Sequence, residues 1–399
     1  MFVLIVCIQL PRFELAVAAG GREALAAGPV ALAPPPGREQ LIGEPSAAAE
    51  TFGVRAGMRL GEALARCPVL RLIAPDPAGV ADEWDRLLAA LEGIGAAVEP
   101  GRPGVAWFAA QGLRNLHGGS VEGVIAAARR ALRTPARIGA APSRFAALAA
   151  AVRARPRRAE IGPARPERLA AYLAPQSVWL LQGRAETAAL PVPLERLGVR
   201  TLGELAALPR AALADRFGVP GTIAHTLARG EDTPLRPRSP VEWIEEALEL
   251  PESASGPQLE QALGLLIDRT LARRERRGRT LRAVVIAAAL VGGGTWRVRV
   301  TFREALGDPR RMRLALTPRL SELPAPADVL RLRVEGLGPP SGPQGSLLSE
   351  PAAIRAARLR EAVRQARAVA GPDAALRILA VDPDSRVPER RLALTPWDP

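Results

Sequence analysis

Lysine is absent from this chain. All 54 residues of the Lys and Arg class are arginine, and against 41 Asp and Glu they leave a formal net charge of +13. A GC-rich coding bias contributes to that choice. The chemical outcome is nonetheless specific: every fixed cation is a planar guanidinium that pairs bidentately with phosphate, so the imbalance predicts a polyanionic partner, nucleic acid first. Cysteine and histidine are scarce too, with only Cys7, Cys67, His117 and His225. So few exclude a disulfide framework or a familiar zinc spacing, and both cysteines are expected as small buried hydrophobes in a reducing cytoplasm. Long apolar runs are also missing. Arg, Glu or Pro interrupts each candidate before the roughly 18 residues a spanning helix requires, so no membrane partner is expected.

What is present is a chain of 399 residues, 48% of them apolar, with room for two to four domains. Its first stretch, MFVLIVCIQLPRF from Met1 to Phe13, is a short Val/Ile-rich run stopped by Pro11, which predicts a buried central strand. A secretory leader would want positive charge before the run, whereas the first arginine is Arg12. An Ala/Gly/Pro-rich segment then reaches about Pro45, with a short strand and a turn but no long helix. Residues from Ser46 to Ala74 read as helix, turn, helix and strand.

Asp82–Ile94 is an amphipathic helix with Trp84, Leu87, Leu88 and Leu91 on one face. A strand pair follows around Val98 and Val105–Ala110, then a helix Ser120–Leu132 capped by Ser120, a strand at Arg137–Gly139 and a helix Phe145–Arg153. This order predicts an α+β layer, one sheet covered on one face. From Pro163 short helices with tight glycine turns take over, and from about Glu242 long amphipathic segments. Gln258–Arg277 is expected as a helix, Leu281–Leu290 and Thr295–Phe302 as a strand pair around Gly292–Gly294, Asp308–Leu320 as a helix and Ala327–Val334 as a strand. Glu335–Pro351 reads as a Gly/Pro/Ser linker, Ala352–Ala370 as a helix, and the end as strand, loop and tail.

Five strings, in order, carry a resemblance. ETFGVRAGMRLGEALARCPVL, IGAAPSRFAALAAA, LERLGVRTLGELAALP, RFGVPGTIAHTLARGED and VDPDSRVPERR resemble the Y-family translesion DNA polymerases, and more closely their catalytically inactive ImuB-like branch. The resemblance implies a multidomain α+β right hand. Residues 1–13 and 70–160 would be the ferredoxin-like palm, 14–69 the small fingers and 161–238 a helical thumb with helix-hairpin-helix turns. Residues 239–335 would be the α/β little finger that lies along DNA, 336–351 a linker and 352–399 a C-terminal partner-binding extension, or a small subdomain that only packs.

Nucleotidyl transfer needs clustered carboxylates for two hard divalent cations. The family's first-strand pair of Asp falls here on Cys7 and Gln9, and its second acidic pair on Gly104 and Val105, with Glu99 the nearest acid, off register. The arginine that neutralises the incoming triphosphate falls on Glu50. These departures imply a chain that is not an enzyme and takes no cofactor. The alternative is an active polymerase whose carboxylates are misaligned here.

DNA-binding residues are carried over at Gly198, Gly218 and Gly221, where glycine turns before helix starts would leave N–H groups for phosphate. The densest basic cluster, Arg273, Arg274, Arg276, Arg277 and Arg279, extends that list. Gln344, Leu347 and Leu348 in QGSLL resemble a sliding-clamp-binding peptide. The implied role is an adaptor of damage-induced translesion synthesis and SOS mutagenesis in the cytoplasm, at the nucleoid. It would link primer-template DNA, held without regard to sequence, and the sliding clamp to an error-prone replicative-type polymerase, with a RecA-like accessory protein as a further partner. A general DNA-binding protein without clamp or polymerase is the remaining class.

Overall fold

The apolar run at the start of the chain becomes the middle of a sheet. The computed structural model describes residues 3–35, 37, 39–240, 242–254, 256–340, 359–360, 362–367 and 370–396. Strand β1 (Ile5–Gln9) is antiparallel to both neighbours, and in chain order it is followed by α1 (Phe13–Ala18), β2 (Val30–Leu32), α2 (Ala47–Thr51), α3 (Leu60–Arg66) and β3 (Arg71–Ile73). Then come α4 (Pro77–Gly93), β4 (Val98–Pro100), β5 (Val105–Ala109), α5 (Val121–Leu132), β6 (Arg137–Ala141), α6 (Arg144–Arg153) and the short β7 (Glu160–Ile161). The first sheet has the order β4-β5-β1-β6-β7, and β2 pairs in parallel with β3 beside a small core that takes in Cys67.

Side-chain alternation along β1 divides the interior in two. Val6 and Ile8 point into a core built with Val80, Trp84, Leu87 and Leu88 of α4 and with α5, while Ile5 and Cys7 point into another, built with Phe145 and Leu148 of α6. The sheet is therefore covered on both faces, not on one as its pattern suggested. The sign was in β1 itself, since an unbroken apolar strand buries both of its sides. Three helix starts follow from single side chains: Asp76 accepts from Gly79 N–H at 2.9 Å, Ser120 from Gly123 N–H at 3.1 Å and Ser143 from Ala146 N–H at 3.3 Å.

The core on the Cys7 side continues into a helical block. Helices α7 (Leu169–Leu173), α8 (Pro191–Arg196), α9 (Leu202–Ala207) and α10 (Arg210–Ala228) contribute Leu169, Leu173, Leu194, Leu205, Leu213 and Leu227 to it. Helix α10 is two helices joined at Gly218, whose φ of 63° and ψ of −143° no helix can hold.

A second sheet follows, with its own core. It comprises β8 (Ile244–Ala254), α11 (Pro257–Ala272), β9 (Arg279–Leu290), β10 (Thr295–Leu306), α12 (Pro309–Leu316) and β11 (Ala327–Pro340), in strand order β10-β9-β11-β8. Strand β8, not foreseen from sequence, is an edge strand whose four glutamates, among them the adjacent Glu245 and Glu246, mask its alternation. Helix α11 stops at Ala272, five residues before the expected end, and β11 runs to Pro340, into the segment read as linker.

Residues Met1–Pro339 form one compact unit and Pro340–Pro399 a second. In the second, β12 (Leu376–Ala380) pairs antiparallel with β13 (Leu392–Pro396), so the chain's end is a hairpin where a strand and tail were expected. Gln344, Leu347 and Leu348 lie outside the described residues, as does most of the helix expected from Ala352. Among the described residues no helix is long and apolar enough to cross a membrane.

Candidate functional site

The antiparallel register brings the four expected ligand positions to neighbouring places on β1 and around the start of β5. Gln9 faces Val105 across the β1–β5 pair, Cys7 faces Trp107, and Leu10 N–H donates to the Gly104 carbonyl at 2.8 Å. Cys7 is fully buried, and burial pushes its thiol far above the ordinary range, so it stays neutral. Gly104 has φ of 87°, and a Cβ there would stand 2.8 Å from Phe13 Cβ and 3.0 Å from the Leu10 carbonyl oxygen. An acidic side chain at that position would need the strand end to shift.

Gln9 and Val105 floor a cavity of about 190 Å3. Its charges come in balance: Arg12, Arg102 and Arg137 against Glu14, Glu44 and Glu50. Glu50 is exposed, but its carboxylate accepts from the Arg12 guanidinium, whose Nε also donates to the Pro45 carbonyl at 2.9 Å. Burial raises the Glu44 carboxyl, opposed by Arg102 and reinforced by Glu14. The Gln9 Oε1 atom is buried with no hydrogen-bond partner.

A pair of hard divalent cations wants several ionised carboxylates at short range. A neutral thiol, an amide, a glycine and a valine at the ligand places, with the cavity's three carboxylates matched by three arginines, do not fit such a pair. Among the described residues no group of three or more His, Cys, Asp or Glu could hold a metal ion. Glu99, on β4, lies in one register row with Trp107 and Cys7, but it is spoken for: Arg144 pairs with it and the Arg236 N–H donates to it.

The two glycine turns of the helical block differ. At the first, Gly198 N–H bonds the Glu195 carbonyl and Val199 N–H bonds Leu194. Arg200 and Thr201 donate to the Glu204 carboxylate at 2.7 and 2.9 Å, Leu202 and Gly203 donate to the Gln176 and Ala174 carbonyls, and Glu204 N–H donates to Thr201 Oγ1. The expectation of free N–H groups at this turn does not hold, because the start of α9 is closed by its own anion. Hydrogen bonds from Arg200 and Thr201 hold the Glu204 carboxyl below its usual range. At the second turn Gly218 has open space around it, Val219 is exposed, and a Cβ on Gly221 would collide with the Leu213 carbonyl oxygen at 2.3 Å. Gly221 thus serves the close packing of the two halves of α10.

The arginine cluster sits in the turn from α11 to β9, and much of it is engaged. Arg273 pairs with Glu246, Arg279 pairs with Glu242, and Arg276 donates to the Arg279 carbonyl, while Arg274 and Arg277 are exposed. A second basic feature escaped the reading of the sequence. On the second sheet's face opposite α11 and α12, Arg297 and Arg299 of β10 and Arg333 of β11 all reach Glu335, at 3.2, 2.5 and 3.2 Å, over Ala287 and Val285 of β9. Burial alone would raise the Glu335 carboxyl, but the Arg299 hydrogen bond and the charge of Arg333 outweigh it and hold it below its usual range. The signal was the alternation W-R-V-R-V in β10, arginine at every second residue of a strand.

Comparison with known proteins agrees with the family resemblance at a coarser level. Residues 8–152 match the model of the impB/mucB/samB family. The chain is 27% identical over 367 residues to a DNA polymerase IV of Dehalococcoides mccartyi (strain CBDB1), covering 88% of this chain and 91% of that one. It is 30% identical over 237 residues to the DNA polymerase IV of Moorella thermoacetica, 57% of each chain. Among solved structures, DinB from Sulfolobus solfataricus aligns with a TM-score of 0.48 and 15% identity over 84% of this chain and 99% of that one. The expectation that the chain is not an enzyme is thereby corrected: the relatives it matches, one over 91% of its length and the other over 57%, are named as polymerases, and the missing carboxylates at four positions do not by themselves support inactivity. Over most of its length the chain is similar to DNA polymerase IV, and most of its first sheet falls within the stretch that matches the impB/mucB/samB family.

Proposed function

We propose that the chain holds primer-template DNA during translesion synthesis and links it, with the sliding clamp, to an error-prone polymerase. In this reading the first sheet is a palm-like layer, residues 14–69 the fingers-like part, the helical block a thumb and the second sheet a little-finger-like domain. The observation that supports it most is that Gln9 and Val105, paired across the strands beside Cys7 and Gly104, line a cavity whose Glu50 is paired with its own Arg12. DNA would meet the Gly218 turn, the exposed Arg274 and Arg277, and the arginine face of the second sheet, through phosphate and without regard to sequence. Gln344, Leu347 and Leu348 would carry the clamp, and the C-terminal extension the polymerase and a RecA-like accessory protein. In this reading the chain is nearest the ImuB-like branch.

A clamp pull-down tests the tether. Full-length protein should retain the clamp, and changing Gln344, Leu347 and Leu348 to Ala should abolish retention; equal capture by both would defeat it. Templated synthesis by the chain itself is the second reading, favoured by the polymerase names of its relatives. Primer extension with magnesium and then manganese separates the two. Incorporation that disappears on Glu99→Gln in a protein of unchanged melting temperature would favour synthesis over the linking role.

A further inference from the structure

The second sheet meets the first layer through charge. Helix α4 spends its apolar face, Val80, Trp84, Leu87, Leu88 and Leu91, on the first sheet's core, and no apolar cluster joins it to the second. Its other face is acidic and lies over the β11 side of the arginine-bearing sheet face. There Arg333 reaches Asp82 at 3.1 Å and Asp85 at 3.5 Å and stacks on the Trp243 ring at 4.8 Å, while Arg86 reaches Glu245 at 2.9 Å. Asp82 and Arg333 are each only 3% exposed. Two cavities, of about 800 and 170 Å3, lie along the same junction, so its packing is incomplete.

A junction of buried ion pairs gains little net free energy, because desolvation offsets much of the attraction. It also presents carboxylates to the guanidinium groups that a phosphate backbone would take. Arg297 and Arg299 remain on the uncovered side of that same sheet face, joined to Arg333 through Glu335.

We propose that α4 is an autoinhibitory cover: its carboxylates occupy half of the second sheet's arginine face, and a nucleic-acid backbone must displace them to use the whole of it. The proposal rests on the DNA-holding reading. By linkage, whatever weakens the cover tightens DNA binding, and DNA loosens the cover.

The test uses the full chain, a labelled primer-template duplex and fluorescence anisotropy across salt concentrations, with hydrogen exchange of residues 77–93 followed in parallel. Asp85→Asn should tighten binding about threefold and Asp82→Asn/Asp85→Asn about tenfold or more, within the usual range of coupling between sites. The double variant's salt dependence should steepen by about two, as Arg333 and Arg331, which stands 3.9 Å from Asp82 on the same strand β11, become available to phosphate. Arg299→Ala should weaken binding, and DNA should speed exchange in α4. Glu122→Gln, an exposed acid on α5, controls for net charge and should change affinity less than twofold. If the double variant does not fold, the half-exposed Asp85 carries the test alone. Equal binding by wild type and acid variants, an equal gain from Glu122→Gln, or slower exchange in α4 with DNA would each overturn the cover while leaving DNA binding intact. Absence of binding by wild type and every variant would overturn the DNA-holding reading, and the cover with it.

Discussion

Two junctions meet the first sheet, and they are built from opposite materials. Toward the helical block, Ile5, Cys7 and Phe145 share a single apolar core with Leu173, Leu205 and Leu227, so the two parts have no surface to separate along without opening that core. Toward the second sheet, two complete cores face each other through arginines and carboxylates. Buried apolar area contributes roughly 25 cal/mol per Å2, whereas buried ion pairs come near balance. The difference teaches where this molecule can change shape: the first junction is part of the fold, the second a contact between folded parts.

Breaking the first junction should have the largest effect. Phe145→Ala removes a ring that is 1% exposed at its centre and should cost about 3–5 kcal/mol, read as a lower urea midpoint for the first sheet and helical block together. Arg144→Ala should cost about 3 kcal/mol, because it leaves the Glu99 carboxylate without its guanidinium and the buried Asp232 with Arg184 as its remaining one. Loss of either variant's effect on the helical block would erase the contrast.

The second junction should yield more cheaply. Gly79 lies where α4 touches the start of β10, and a Cβ there would stand 2.7 Å from Thr295 Oγ1 and 2.2 Å from its own cap, Asp76 Oδ2. Gly79→Ala should cost about 1–3 kcal/mol and speed proteolysis between Glu231 and Trp243, with the first core still protected. Smallest is the effect of pH. The Glu335 carboxyl is held below its usual range, so its contribution is full above the unfolded value near 4.5 and fades as pH falls through the lowered folded one. A melting series from pH 7 to 3 should show the second sheet loosening first, and Glu335→Gln should flatten that part of the profile.

Much of the first layer was legible because local signals agreed with tertiary ones. Ser120 caps the helix it was expected to cap, and β1 and α5 fall where periodicity puts them, while α4 starts at Pro77, five residues before the expected Asp82, because Asp76 caps it. The assignment of Cys7, Gln9, Gly104 and Val105 to the family's ligand places came from the resemblance, and the strand pairing sets Gln9 opposite Val105. Misreadings arose where a residue's partner is distant in sequence. Nothing local says that Glu50 will pair with Arg12, that Glu204 will close its own helix start, or that Asp82 will meet Arg333 from 251 residues away. The arginine cluster drew attention by density, whereas the ordered basic face lies on β10, where alternate valines dilute it.

The buried cysteines have a practical meaning for anyone studying motion in this molecule. Cys7 and Cys67 are both free and fully enclosed, one in each of two separate cores. The native chain therefore already offers a thiol-silent surface, on which a pair of introduced cysteines, one on α4 and one on α11, would take a donor and an acceptor dye and turn the opening of the second junction into a distance.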